Sequence, residues 1–172
     1  EARAREAGVD FFISKPIFQS VVQDVLLKAT RRRQSAATLP VQKEDFAGRR
    51  ILLVEDNEIN MEIARTLLEF RNASVDGACN GQQAVEMFRS SPQNHYDAVL
   101  MDVRMPVMDG IAATQAIRGL DRADAATVPI LAMTANAFAE DIERSRKAGM
   151  NEHLAKPIEP ETLYARLASY FR

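Results

Sequence analysis

The stretch Arg49 to Ala78, RRILLVEDNEINMEIARTLLEFRNASVDGA, decides the fold. It opens on a short apolar run of strand length, Ile51 to Val54, which ends at Glu55, Asp56 and Asn57. Ile59, Ile63, Leu67 and Phe70 then recur at helical spacing and predict the core-facing side of a helix. Ala73 to Ala78 follows as a second strand. Strand, helix and strand in succession form a parallel unit, because parallel neighbours need a crossover between them.

Moving outward, the alternation continues to the C-terminus. Further strand candidates are Tyr96 to Met101, Ile130 to Met133 and Glu152 to Ala155. Between and after them lie helical stripes at Val85 and Phe88, Ile111 and Ile117, and Leu163, Leu167 and Phe171. Asn80-Gly81, Asp109-Gly110, Ala148-Gly149 and Pro157 mark the breaks. The expected class is α/β, a doubly wound five-stranded parallel sheet with helices on both faces, spanning residues 49–172.

In the other direction, Ala2 to Ile17 (ARAREAGVDFFISKPI) aligns without gaps on Glu143 to Ile158 (ERSRKAGMNEHLAKPI). Phe18, Val22, Val25 and Leu26 then parallel the last helix. Residues 1–30 therefore read as the last strand and helix of a truncated upstream copy, too little to bury a core of their own. Residues 31–48 (RRRQSAATLPVQKEDFAG) are polar, without sustained apolar period, and read as a linker. Arg31 to Arg33 is taken as a solvated helix end rather than a nucleic-acid patch.

The 172 residues carry 22 basic and 24 acidic side chains, so no global field draws the chain to nucleic acid or to an anionic membrane. No apolar run approaches the length of a membrane span. Cys79 is the only cysteine and is compatible with a reducing compartment; the expected location is cytoplasmic. The chain opens on Glu1 rather than Met and reads as a piece of a longer protein.

Several strand candidates end in a chemically useful residue: Val54 leads to Glu55-Asp56, Met101 to Asp102, Met133 to Thr134, and Ala155 to Lys156. In an open parallel sheet the carboxyl ends of the strands face one crevice, so these distant positions converge. Three close carboxylates repel one another unless a cation compensates, and an all-oxygen set suits a hard ion such as Mg2+. A carboxylate can also act as a nucleophile towards phosphorus, with a cation neutralising the phosphoryl oxygens. Lys156 would add a second positive charge and Thr134 a hydroxyl. Asp102, alone at the end of the central strand candidate, is the nucleophile expected.

The segments VEDN (Val54 to Asn57), MDVRMPVMDG (Met101 to Gly110), MTANA (Met133 to Ala137) and AKP (Ala155 to Pro157) resemble, in order and spacing, the receiver domains of response regulators, and VEDN and TANA resemble those of hybrid sensor histidine kinases. The resemblance covers Arg50 to Arg172. It implies a flavodoxin-like sheet of order 2-1-3-4-5, Asp102 as phosphoacceptor, and Mg2+ held by Glu55, Asp56, Asp102 and the Arg104 backbone carbonyl. It makes Thr134 the switch hydroxyl and Lys156 the active-site cation, followed by a Lys-Pro bond that the family often holds cis. The implied donor is a phosphohistidine on a histidine kinase or histidine phosphotransfer domain. The implied parent is a hybrid kinase with tandem receivers, of a kind that an inner-membrane anchor can hold. One position departs from the pattern: His153 stands three residues before the lysine, where an aromatic switch ring is usual, whereas the truncated copy keeps Phe12.

Other readings are weaker. Asp56 or Asn57 could simply cap a helix. Neither G-x-G-x-x-G nor G-x-x-x-x-G-K-[ST] occurs, so nucleotide binding and self-phosphorylation from ATP are not expected of this segment. A receiver-like interaction module that is never phosphorylated remains the competing hypothesis. Self-association through residues 1–30 stays open, since apolar stripes seldom remain exposed.

Overall fold

The structure is a computed structural model and describes residues 44–135 and 139–171. Five parallel strands form one sheet: β1 (Arg50–Val54), β2 (Ser74–Ala78), β3 (Ala98–Asp102), β4 (Ile130–Thr134) and β5 (Glu152–Ala155), in the order β2-β1-β3-β4-β5. The helices are α1 (Glu58–Glu69), α2 (Gly81–Ser90), α3 (Gly110–Arg118), the short α4 (Ala123–Thr127), α5 (Ala139–Lys147) and α6 (Pro160–Tyr170). The expected class and strand order are both present. Asn57, Asn80 and Asp109 cap α1, α2 and α3 by accepting backbone N–H bonds that the first helical turn leaves unmatched.

Every residue of β3 and β4 is buried, because both faces of these central strands are covered. Side chains alternate between two cores. Leu52, Val54, Val99, Met101, Ile130 and Ala132 meet Phe88 of α2 and Ala113 and Ile117 of α3 on one face. Ile51, Leu53, Leu100, Leu131 and Met133 meet Leu68 of α1 and Leu163 and Leu167 of α6 on the other.

Two packing details differ from the sequence reading. The stripe expected to bury α1 does not: Ile59, Ile63 and Phe70 are 63%, 50% and 71% exposed, and Leu67 is only partly buried. The helix is rotated so that Ala64 and Leu68 enter the core, with Met61 packed beside them. A small alanine can approach the sheet closely, and the larger side chains on the neighbouring face misrepresent which side is inside. Phe46, within the range read as linker, is buried with edge-on ring contacts to Tyr164 and Phe171 at 6.1 and 5.2 Å. The reading of residues 1–30 as an upstream remnant, with Phe12 in it, lies outside the described residues, as do linker residues 31–43.

Candidate functional site

The sheet brings the strand-end residues together. Glu55 directly follows β1, Asp102 ends β3, Thr134 ends β4 and Lys156 directly follows β5. Ligand oxygens of Glu55, Asp56 and Asp102 lie within 4.8 Å of one another. Glu55 and Asp102 are only 3% and 6% exposed, while Asp56 faces solvent.

Lys156 holds the two buried acids. Its Nζ donates to Glu55 Oε2 at 2.5 Å and to Asp102 Oδ2 at 2.6 Å. Burial, the largest influence, pushes the ammonium towards losing its proton. The hydrogen bonds and charges of Asp102 and Glu55 outweigh it and hold Lys156 above the usual lysine range. The other oxygen of each acid is also occupied: Asn60 Nδ2 donates to Glu55 Oε1 at 3.0 Å, and the Arg104 backbone N–H donates to Asp102 Oδ1 at 3.1 Å. The sequence motifs do not mark Asn60, a short amide in the first turn of α1, whose place in the site shows only in this contact with Glu55.

The β3–α3 connection sets the position of Asp102. The Gly110 N–H donates to the Val103 carbonyl at 3.1 Å, and a Cβ added at Gly110 would lie 2.1 Å from the Asp102 carbonyl oxygen. Only glycine allows this approach. Across the strand ends, the Lys156 N–H donates to the Thr134 carbonyl at 2.8 Å, which continues the β4–β5 pairing beyond β5. Thr134 is 6% exposed. The Lys156-Pro157 peptide bond is cis.

His153 lies within β5, opposite Ala132, and its ring turns towards α5, where Nε2 shares a 3.0 Å hydrogen bond with Ser145 Oγ. Burial favours its neutral form. Glu152 opposes that and Arg146 adds to it, leaving His153 below the usual histidine range.

Three carboxylates facing one ammonium leave net negative charge in an all-oxygen pocket, a donor set that fits a small hard dication. No helix among the described residues is long and apolar enough to cross a membrane.

Comparison with known proteins agrees with this geometry. The family model described as response regulator receiver domain matches residues 51–168. The signal transduction histidine-protein kinase BarA of Escherichia coli K12 is 33% identical over 168 residues, covering 98% of this chain and 18% of BarA. Hybrid signal transduction histidine kinase I of Dictyostelium discoideum is 31% identical over 155 residues, covering 89% of this chain and 9% of that protein. The chain therefore spans under a fifth of either relative. Among solved structures, the receiver domain of sensor histidine kinase PA1611 from Pseudomonas aeruginosa PAO1 has a magnesium ion coordinated in its active site cleft. It is 41% identical with a TM-score of 0.65, over 72% of this chain and 98% of that one. Chemotaxis protein CheY4 of Vibrio cholerae is 27% identical with a TM-score of 0.66, over 72% of this chain and 99% of that one. The matched family, the parallel sheet in 2-1-3-4-5 order and the acidic strand-end cluster agree, and the chain belongs to the response regulator receiver domain family.

Proposed function

We propose that this domain is a phosphoacceptor in a two-component phosphorelay, in which an Asp102 oxygen takes a phosphoryl group from a phosphohistidine. The observation that carries this reading is the buried Asp102 carboxylate, fixed at Oδ1 by the Arg104 N–H and at Oδ2 by Lys156. A new O–P bond forms as the P–N bond of the donor breaks, and the imidazole leaves with the bonding pair and takes up a proton. Two fixed oxygens confine the attacking geometry, which supplies the positional part of the catalysis. The Lys156 ammonium exchanges Asp102 Oδ2 for the incoming phosphoryl oxygens, and the Thr134 hydroxyl donates to them.

Mg2+ would be held by Glu55, Asp56, Asp102 and the Arg104 carbonyl, and when bound supplies positive charge that offsets the phosphoryl oxygens. The magnesium-bound PA1611 receiver and the acidic donor set here support that assignment. Thr134 and His153 would carry the change outward, by biasing a surface with two arrangements.

The donor partner is a histidine kinase or histidine phosphotransfer domain. The parent is a hybrid histidine kinase in which residues 49–172 follow an upstream receiver, whose end is residues 1–30, and a linker. The site works in the cytoplasm. The exposed Ile59 and Ile63, on the helix that leaves Asp56, offer the donor an apolar rim.

Incubation with a small-molecule phosphodonor and Mg2+, followed by intact mass measurement, should add one phosphoryl group to the wild type and none to Asp102→Asn. If the gain is absent or does not depend on Asp102, the phosphoacceptor reading is wrong and an unphosphorylated interaction module takes its place.

A further inference from the structure

Glu55 and Asp102 are held in parallel ways. Each shares one oxygen with Lys156, and each gives the other to a donor of its own neighbourhood. For Asp102 that donor is a backbone N–H, fixed by the chain itself. For Glu55 it is the amide of Asn60 at 3.0 Å. We propose that Asn60 is a positioning residue, which pins Glu55 so that its second oxygen stays directed at Lys156 and at the cation. The inference rests on the proposed Mg2+-dependent function of this site.

The local sequence supports the assignment. Asn57 caps α1 through Oδ1, to the N–H groups of Ile59 and Asn60. Asn60 is therefore the third helical residue, where a capping box would place Glu or Gln reaching back to the cap backbone. Its side chain reaches past the cap to Glu55 instead. Asparagine is also a poor helix former, so at this exposed position the intrinsic helix preference favours alanine. The contact with Glu55, rather than the helix, accounts for its presence.

A carboxylate without this tether can rotate, so the cation would meet a less ordered ligand. Losing such an outer partner typically weakens metal binding by about tenfold. A side chain that only supported the helix would leave metal affinity unchanged.

The test is Mg2+ titration by calorimetry of the full chain as wild type, Asn60→Ala and Asn60→Gln, with metal-free thermal melting beside it. Phosphorylation by a small-molecule phosphodonor is then followed against Mg2+ concentration. Asn60→Ala should weaken Mg2+ binding about tenfold, raise the half-saturating Mg2+ by the same factor, and approach the wild-type rate at saturation. Asn60→Gln, which keeps the donor on a longer arm, should recover most of the affinity. Equal affinities for wild type and Asn60→Ala would overturn the assignment, as would Asn60→Gln binding no better than Asn60→Ala. Failure of the wild type to bind Mg2+ or accept phosphate would overturn the phosphoacceptor reading itself, and this inference with it.

Discussion

Replacing Lys156 by alanine should destabilise the metal-free domain and make it unusually responsive to Mg2+. The Lys156 side chain is 18% exposed and its ammonium contacts the carboxylates of Glu55 and Asp102, whose side chains are 2% and 8% exposed. Removing one partner of a buried ion pair costs about 3–5 kcal/mol, because the remaining charge stays buried and uncompensated. Here the charges left behind are two carboxylates with ligand oxygens within 4.8 Å. Water entering the vacated space lowers the cost, so roughly 2–3 kcal/mol is expected. For a domain of this size that corresponds to a fall in melting temperature of about 10 °C. Because the pairing holds Lys156 above its ordinary range, its contribution is complete below the unfolded lysine value. It is lost only as pH rises through the folded value, so the difference should persist from pH 7 to pH 9.

Mg2+ then separates this cause from a simple packing defect. A dication stabilises the folded form in proportion to its binding, and the variant presents it with one positive charge fewer. The Mg2+-induced rise in melting temperature should be larger for Lys156→Ala than for wild type, measured by circular dichroism in chelator and in millimolar Mg2+. A variant that melts with the wild type in chelator, or gains no more from Mg2+, would refute the view of Lys156 as the internal counter-ion of the cluster.

Other outcomes follow from the packing and the ionisations. Gly110→Ala puts a Cβ 2.1 Å from the Asp102 carbonyl oxygen, so despite alanine's better helix propensity it should lose about 1–3 kcal/mol in urea unfolding and slow phosphorylation. Phe46→Ala should cost about 3–4 kcal/mol by the same assay, and a chain begun at Arg49 should be weakened similarly; retention of full stability by both would show that Phe46 contributes nothing. Asp124 is held down to about 2, chiefly by its hydrogen bond from Arg122. Its stabilisation is present above the unfolded aspartate value and is lost as pH falls towards 2, so the roughly 1–2 kcal/mol deficit of Asp124→Asn at pH 7 should shrink between pH 4 and pH 2. His153 is depressed by burial, so the unfolded chain takes up the proton first and stability should fall below about pH 6.5; His153→Phe should flatten that slope in melts from pH 7.5 to pH 5.5.

The sheet was legible because its central strands are buried on both faces and so read as short continuous apolar runs, and the site because strand ends share one edge. What sequence could not show depends on the third dimension. The face of α1 that meets the sheet is marked by Ala64, whose small size is an advantage in packing but invisible to a search for large apolar side chains. Phe46 is a single ring in a polar stretch, and its burial depends on Tyr164 and Phe171, more than a hundred residues away. The short α4, Ala123–Thr127, has no side-chain cap and too few turns to carry a period. Asn60 belongs to the site through a side-chain contact, which spacing alone does not express.

The bond between Lys156 Nζ and Glu55 Oε2 joins residues 101 positions apart. During synthesis, a nascent chain that has emerged only as far as α5 would already hold all three carboxylates, yet lack the ammonium that balances them. Completion of this site thus arrives late, with the docking of β5, and a chain of this domain that stops short of Lys156 lacks the counter-ion of its own acidic cluster.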